Sequence, residues 1–248
     1  MTVSAVTGTA VPRLDRREGA ALQRVEYRRL ARQLRRLDGA AWSAPTDCPE
    51  WTVRDVAAHV LGGLEGNASL REGVHQMWAA WRSDRTFVDG LGVVQIRDRA
   101  GAAPDEIVRR LEAVIDRAVR ARERMPAVLR AIPLRFTAPY GVERMRLRDL
   151  LDTVYLRDAW MHRVDIACAT GAPLELTTGH DGRIVADVVG EWARRHGNPY
   201  RLDLDGPAGG RFADGEGGED IHLDAVEFCR IVSGRASGPG LLTQEVVF

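Results

Sequence analysis

The sequence predicts a mainly α-helical protein, with a helical bundle over residues 13–197 and a small α+β domain over residues 198–248. Long segments carry apolar residues at the three- and four-residue spacing of amphipathic helices. Capping residues and glycine or proline stops mark the ends of these segments. After residue 197 the pattern changes to short alternating runs separated by glycine-rich turns. Residues 1–12 are expected to form a flexible tail.

Composition restricts the class of partner. The 248 residues have a formal net charge of zero, which excludes the strong field that draws proteins to nucleic acid or to anionic membranes. Small molecules are therefore the expected partners of a monomer or weak dimer. Every basic side chain other than histidine is arginine, as is typical of a GC-rich, actinobacterial coding sequence.

The cysteines indicate a reducing compartment. Cys48, Cys168 and Cys229 are odd in number, far apart and not in a C-x-x-C pair, which argues against a disulfide framework and a thiolate zinc site. No signal peptide and no apolar run of about 20 residues is recognised, so a cytoplasmic location is expected.

Five helices are predicted in the bundle. Thr52 and Asp55 form a capping pair for the second helix, and Thr170, Gly171 and Pro173 stop the fourth. The second helix is expected to break or restart near Gly62, Gly63 and Gly66. The predicted spans are Arg13–Leu37, Thr52 to Trp81 with that break, Pro104–Met125, Leu147–Ala169 and Asp181–Arg195, with a loop enforced by Pro126, Pro133 and Pro139.

The end of the chain predicts strands and one short helix. The alternating runs are Tyr200–Leu204, Glu219–Leu223 and Leu241–Phe248. Asp224, with Glu227 three residues later, is a capping-box-like start for a helix that ends before Gly234.

The fourth helix carries an unusual polar stripe. Its apolar face continues, in steps of three and four, through Asp158, His162 and Asp165. A buried carboxylate must be paired, hydrogen-bonded or bound to a metal. Asp158 and His162 lie one turn apart, and His59 on the second helix is the best candidate for a third ligand of a divalent ion such as Zn²⁺. From spacing alone, an Asp–His hydrogen bond in a helical core with an unrelated His59 remains equally open.

Three segments resemble a known family. They are residues 42–59 (WSAPTDCPEWTVRDVAAH), residues 155–171 (YLRDAWMHRVDIACATG), and residues 223–235 (LDAVEFCRIVSGR) with the closing VVF. Together they are similar to the mycothiol-dependent maleylpyruvate isomerase family of the DinB-like metalloenzyme superfamily. The resemblance implies a four-helix bundle with one zinc-like site on His59, Asp158 and His162. The family usually has Glu where this chain has Asp158.

The resemblance also implies a chemistry and a domain bridge. A metal with an open position stabilises the thiolate of mycothiol, which attacks an electrophilic small molecule in a cis-trans isomerase or in a thiol S-transferase. The Asp and Arg that pair between the family's domains match Asp165 and Arg235. Arg82 and Arg85 are candidates for orienting an acidic substrate, although solvated arginines are the simpler interpretation.

Two non-enzymatic readings stay open. In the first, the same ligands form a metal-sensing or structural module, closed by a fourth protein ligand such as Cys48. In the second, a metal-independent binding protein retains the fold. Trp42, Trp51 and Trp160 are interpreted as core anchors, with Trp160 close enough to the ligand turn to line the cleft.

Overall fold

A computed structural model describes residues 5–138 and 141–248 of the chain. Pro139, one of the three prolines predicted to enforce a loop, lies outside these residues. The chain divides into two compact units, Asp15–Ala172 and a second unit formed by Met1–Leu14 with Pro173–Phe248. The fifth predicted helix falls in the second unit, whereas the sequence placed it in a bundle that ends at residue 197. Compact units need not be units that fold alone, so the boundaries at residues 12 and 197 stay a prediction.

The secondary structure is mainly helical. The helices are α1 (Arg16–Arg35), α2 (Val53–Ala68), α3 (Leu70–Trp81), α4 (Phe87–Arg97), α5 (Pro104–Arg124), α6 (Ala127–Arg130), α7 (Leu147–Asp149), α8 (Tyr155–Thr170), α9 (Asp181–His196) and α10 (Ala225–Val232). A π-helical segment, Leu150–Val154, joins α7 to α8. The strands are β1 (Val6–Thr7), β2 (Pro133–Ala138), β3 (Gly141–Arg146), β4 (Tyr200–Asp205), β5 (Gly210–Asp214) and β6 (Glu219–Asp224).

The unit Asp15–Ala172 is built around a four-helix bundle of α1, α2, α5 and α8. Their apolar faces form one buried cluster, to which α5 contributes Ile107, Leu111 and Ile115. The predicted cap of α2 is confirmed: Thr52 Oγ1 accepts from the Asp55 amide, and the Asp55 carboxylate accepts from the Thr52 amide. This cap fixes where α2 begins and hence which face carries His59.

The region between α2 and α5 differs from the prediction. α2 runs through Gly62 and Gly63 to Ala68 before α3 begins at Leu70. α4 was not predicted, because Gly90 and Gly92 resemble helix breakers in the sequence. In the structure Gly90 packs on Ala80, where a Cβ would lie 3.0 Å from a backbone oxygen. The glycines therefore allow close helix packing.

The proline-marked loop after α5 is also corrected. It contains α6 and an antiparallel hairpin in which β2 pairs with β3 from Pro133 opposite Arg146. Proline is tolerated as the first residue of a strand, since it removes only one ladder donor. The side chains of β2 alternate between exposed and half-buried, as a two-stranded ribbon with one covered face requires.

The second unit has a four-stranded sheet in the order β1-β5-β4-β6. β4 pairs antiparallel to β5 and parallel to β6, while β1 pairs parallel to β5. Part of the tail predicted to be flexible therefore forms an edge strand. Trp192 of α9 packs edge-to-face on Tyr200 and Phe228, with ring centroids 4.8 and 5.4 Å away.

The end of this unit differs from the prediction in one respect. Asp224 caps α10 as expected, accepting from the amides of Val226 and Glu227. Leu241–Phe248 was predicted as a strand, and this was wrong. Gly240–Thr243 is instead a single 3₁₀ turn, which follows Pro239 and begins at Gly240 with φ +57°. The alternating apolar pattern of the segment reflects burial of Leu242 and Val246, since Val246 N donates to Val232 O at the end of α10. Within the described chain, no helix is long and apolar enough to cross a bilayer.

Candidate metal centre

Two helices present the predicted ligands. α2 carries His59 two turns after its cap, and α8 carries Asp158 and His162 one turn apart. The ligand atoms of these three side chains all lie within 4.8 Å of one another. The structure therefore brings together the three residues that the sequence selected from two distant segments.

The three side chains converge on one carboxylate oxygen. His162 Nε2 lies 3.2 Å and His59 Nε2 lies 3.7 Å from Asp158 Oδ1. The two imidazole rings are nearly perpendicular, with centroids 5.2 Å apart. The side chains of His59 and Asp158 are 21% and 28% exposed, whereas that of His162 is 4% exposed. The cluster is thus open to solvent on the side of His59 and Asp158.

Charge is stabilised in this cluster. Burial would raise the pKa of Asp158, but His162 and His59 together hold that pKa well below its usual value. Burial would lower the pKa of His162, but the charge of Asp158 and hydrogen bonds to Asp158, Asp165 and Cys48 raise that pKa well above its usual value. In the metal-free protein a proton on His162 Nε2 therefore balances the charge of Asp158, and a bound cation would take over this role.

Asp165 fixes the orientation of the His162 ring through the ring nitrogen that faces away from Asp158. His162 Nδ1 donates to Asp165 Oδ2 at 2.9 Å, and Asp165 is fully buried. A carboxylate only accepts, so this bond fixes a proton on Nδ1, and Nε2, which faces Asp158, is the ring nitrogen that would give up its proton to bind a cation. The Cys48 thiol donates to the same Asp165 oxygen at 3.4 Å. Cys48 groups with His162 and Asp165 but not with His59 and Asp158.

Trp51, which the sequence indicated only as a core anchor, forms one wall of the cluster. The Trp51 ring lies 5.0 Å from the His59 ring and 6.2 Å from the His162 ring, centroid to centroid. Trp160 is fully buried in the protein interior. α4 covers the same region, because a Cβ at Gly92 would lie 3.1 Å from the Trp51 ring and 3.9 Å from His59 Nδ1. Glycine at position 92 therefore permits the approach of α4 to His59.

Three polar side chains, those of Gln23, Tyr27 and Arg122, form hydrogen bonds around the π-helical segment that precedes Asp158, and we call them the clasp. Gln23 Nε2 of α1 donates to Leu151 O at 2.6 Å, and Tyr27 Oη donates to Tyr155 O at 3.1 Å. Arg122 Nη1 of α5 donates to Gln23 Oε1 at 3.0 Å and to Tyr27 Oη at 2.8 Å. Segments of π-helix disrupt the regular hydrogen-bond ladder and occur often at functional sites. The clasp of Gln23, Tyr27 and Arg122 thus supplies donors to carbonyls just before the ligand turn.

The clasp was not predicted from the sequence. Gln23 and Tyr27 lie one turn apart on the buried face of α1, among apolar residues. Polar residues on an otherwise apolar helix face are the signal that could have identified them, since buried polar groups need partners. Burial raises the pKa of Tyr27, with Arg122 opposing that rise, so the hydroxyl stays protonated and able to donate.

The remaining predicted site residues lie elsewhere or stay predictions. Arg82 is exposed, and its guanidinium lies 4.8 Å above the Trp78 ring. Arg85 is exposed in the connection between α3 and α4. Over the described residues, neither arginine makes a hydrogen bond or ion pair with His59, Asp158 or His162. The pairing of Asp165 with Arg235 stays a prediction.

The donor set fits a divalent transition metal. Two imidazole nitrogens and one carboxylate oxygen are the ligand types that zinc accepts. Donors about 2.0–2.1 Å from a tetrahedral ion lie roughly 3.3 Å from one another. The distances of 3.2 and 3.7 Å to Asp158 Oδ1 bracket this spacing. Little side-chain movement would be needed to surround an ion.

The fold and the cluster define the class of protein: a helical bundle with a solvent-accessible His/Asp/His group between two of its helices. Residues 24–167 match the family model described as the mycothiol maleylpyruvate isomerase N-terminal domain. The match covers more than half of the chain. The chain therefore belongs to this family, as its sequence motifs predicted.

Solved structures show the same fold. A crystal structure of the mycothiol-dependent maleylpyruvate isomerase aligns with a TM-score of 0.57 at 20% identity, covering 93% of this chain and 92% of that chain. A histidine-to-alanine mutant of that isomerase aligns with a TM-score of 0.54 at 19% identity, with the same coverage. None of the curated proteins compared with the chain matches it. The predicted four-helix bundle with a small α+β domain is confirmed.

Proposed function

We propose that this chain is a mycothiol-dependent enzyme, a cis-trans isomerase of the maleylpyruvate type or a thiol S-transferase, with a divalent ion held by His59, Asp158 and His162. One observation carries the proposal: the two imidazole Nε2 atoms converge on Asp158 Oδ1 at 3.2 and 3.7 Å. Family membership supplies the thiol and the reaction class. Zinc is the favoured ion, because it accepts this mixture of nitrogen and oxygen donors.

The chain's own residues prepare the site. When bound, the ion would supply a positive charge that lowers the pKa of a thiol at neutral pH. Asp165 holds His162 in the tautomer that presents Nε2. Trp51 and α4 shield one side of His59, so small molecules would approach from the exposed side of His59 and Asp158.

The position of Cys48 supports an open coordination position. Its thiol donates to Asp165 on the Nδ1 side of His162, whereas His59 and Asp158 face Nε2. The two ring nitrogens point away from each other, so a thiol placed in this way is not a fourth ligand of the proposed ion. A set of three protein ligands is typical of catalytic rather than structural zinc sites.

The proposal also covers the substrate, the location and the residues that would guide the substrate. We propose a small electrophile, cytoplasmic action in a mycothiol-producing bacterium, and steering of an acidic substrate by Arg82 or Arg85. Exposed guanidinium groups favour approach of a carboxylate without fixing its position. Arg82 already lies on the Trp78 ring, which leaves Arg85 as the freer of the two.

A cobalt-substituted protein tests the proposal. Metal content is first measured by elemental analysis, with about one ion per chain expected. Mycothiol is then added, and a new sulfur-to-cobalt charge-transfer band is expected both in the wild type and in a Cys48→Ala/Cys168→Ala/Cys229→Ala variant. Conversion of maleylpyruvate in the presence of mycothiol is followed by absorbance.

Each outcome decides between functions. A band that needs mycothiol, together with conversion, supports the isomerase; a band with thiol adducts of other electrophiles supports the transferase. A band that appears without added thiol and disappears in the triple variant would make a protein cysteine the fourth ligand and favour a sensing or structural module. Absence of bound metal would contradict the proposal and favour a metal-independent binding protein.

A further inference from the structure

One outer face of α3 is apolar and uncovered. The side chains of Leu70, Val74, Met77, Trp78 and Trp81 follow one another at steps of three, four and one, which places them on one stripe of the helix. Leu70 is 86% and Trp81 is 75% exposed, and the other three are more than half exposed. The opposite face of α3 is buried through Gln76 and Ala80. We call these five residues the α3 stripe.

The α3 stripe is large for a surface that stays in water. Monomeric proteins rarely expose contiguous apolar patches above a few hundred Å², and larger ones mark interaction sites. From the exposed fractions of its members, the stripe presents roughly 700 Å² of side-chain surface. A standard protein interface buries about 800 Å² on each partner. The stripe alone therefore comes close to what one side of a stable dimer needs.

We propose that the α3 stripe is the interface of a symmetric homodimer, in which α3 packs antiparallel against α3 of a second copy. A two-fold axis near the middle of the helix would set Leu70 of one copy against Trp81 of the other, and Val74 against Met77. Each of these contacts occurs twice in such an isologous interface. The pairing places the smaller apolar side chain of each pair against the larger one, as close packing requires.

The charges around the stripe favour a second copy over other partners. Arg71 and Glu72 lie at the start of α3, where the Glu72 carboxylate pairs with Arg99, and Arg82, Asp84 and Arg85 follow its end, so both signs of charge occur near the stripe. Nucleic acid or an anionic membrane would need a basic rim. A second copy of the helix has the same apolar stripe and the same mixture of acidic and basic side chains beside it. Antiparallel pairing also brings the helix dipoles into opposite directions, which is favourable.

Arg82 contributes to the interface in this arrangement. Its guanidinium lies 4.8 Å above the Trp78 ring, at the edge of the stripe. A cation over an aromatic face gains strength when water is removed from the pair. Arg82 is therefore expected to lie at the rim of the dimer, which leaves Arg85 as the candidate for steering an acidic substrate.

Sedimentation equilibrium of the full chain tests the dimer. The wild type is expected to change from monomer to dimer as its concentration rises from about 1 to 100 µM. Leu70→Glu and Trp81→Lys should each keep the protein monomeric at the highest concentration, because each buries a charge in the interface twice. Val128→Glu is the matched control, since Val128 is an equally exposed apolar residue outside the stripe.

A charge-swap variant tests the register. In Leu70→Glu/Trp81→Lys, the introduced carboxylate of each copy would face the introduced ammonium of the other, so dimerisation should return in part. A wild type that stays monomeric throughout would overturn the proposal. So would a dimer that survives both single substitutions, or a double variant that stays as monomeric as the single ones. Circular dichroism checks that each variant keeps the helix content of the wild type.

Discussion

The side-chain amide of Gln23 donates to the carbonyl oxygen of Leu151 at 2.6 Å, in the π-helical segment that leads into the ligand helix. Tyr27, one turn further along α1, donates in the same way to Tyr155 O. Asp158 follows Tyr155 by less than one helical turn. The rotation of α8 about its axis, and hence the direction of Asp158, depends on how the π-helical segment is held.

Gln23→Leu should weaken metal binding. Loss of the amide leaves Leu151 O and one Arg122 donor without their partner, so the π-helical segment can relax toward regular α-helix and turn Asp158 away from His59. The expected loss is about tenfold in zinc affinity, by analogy with residues that orient metal ligands. Competition with a chromophoric chelator measures it.

Gln33→Leu is the matched control for Gln23→Leu. Gln33 Nε2 also donates from α1 to a carbonyl of α8, that of Arg163, at 3.1 Å. This bond meets a regular α-helical stretch beyond His162. Its loss should lower stability by about 1 kcal/mol and leave zinc affinity unchanged. Equal affinity loss in both variants would mean that the clasp has only a general stabilising role.

His59→Ala or His162→Ala should remove most of the bound zinc. Each substitution leaves two protein ligands, and an ion held by two ligands exchanges readily with solvent. Elemental analysis after dialysis measures the loss. His222→Ala serves as control, because His222 also lies 2.8 Å from a carboxylate, that of Asp205, but outside the cluster. Full metal content in both ligand variants would show that the ion binds elsewhere.

Metal affinity should rise with pH through the neutral range. The pKa of His162 is raised in the metal-free protein, so His162 remains protonated above its usual pKa and must lose that proton to bind an ion. Zinc binding near pH 7 should therefore release about one proton. Calorimetry in two buffers of different ionisation enthalpy counts it. A release of zero would imply that His162 is already neutral in the metal-free protein.

Gly92→Ala should disturb the site through Trp51. The added methyl group would lie 3.1 Å from the Trp51 ring, which must shift together with the adjacent His59 ring. We expect a change in tryptophan fluorescence, weaker zinc binding, and about 1 kcal/mol lower stability. Gly63→Ala is the control, because its Cβ would meet only an atom 3.9 Å away. Since alanine is the better helix former, that variant should be slightly more stable.

The sequence predicted the three-residue cluster because each feature that points to it lies within a single helix. Asp158 and His162 interrupt an apolar stripe at one-turn spacing, and the cap at Thr52 set the phase of α2 that carries His59. The clasp was missed because a π-helical segment has no sequence signature and its partners come from α1 and α5. Trp51 was interpreted only as a core anchor, because its position beside the His59 and His162 rings depends on long-range packing. The same limit explains why α4 was not predicted, because its glycines allow close contacts with other parts of the chain that periodicity cannot reveal.

The chemistry of the clasp residues should allow the metal site to recover after exposure to acid. Gln23 cannot ionise, and the raised pKa of Tyr27 keeps the proton on its hydroxyl. Arg122 lies against the Tyr155 ring at 4.0 Å, and its hydrogen bonds to Gln23 and Tyr27 involve no carboxylate that acid could neutralise. Protonation of the ligands would therefore expel the ion while the clasp's hydrogen bonds to Leu151 O and Tyr155 O persist, so neutralisation should reload the ion without rebuilding the clasp.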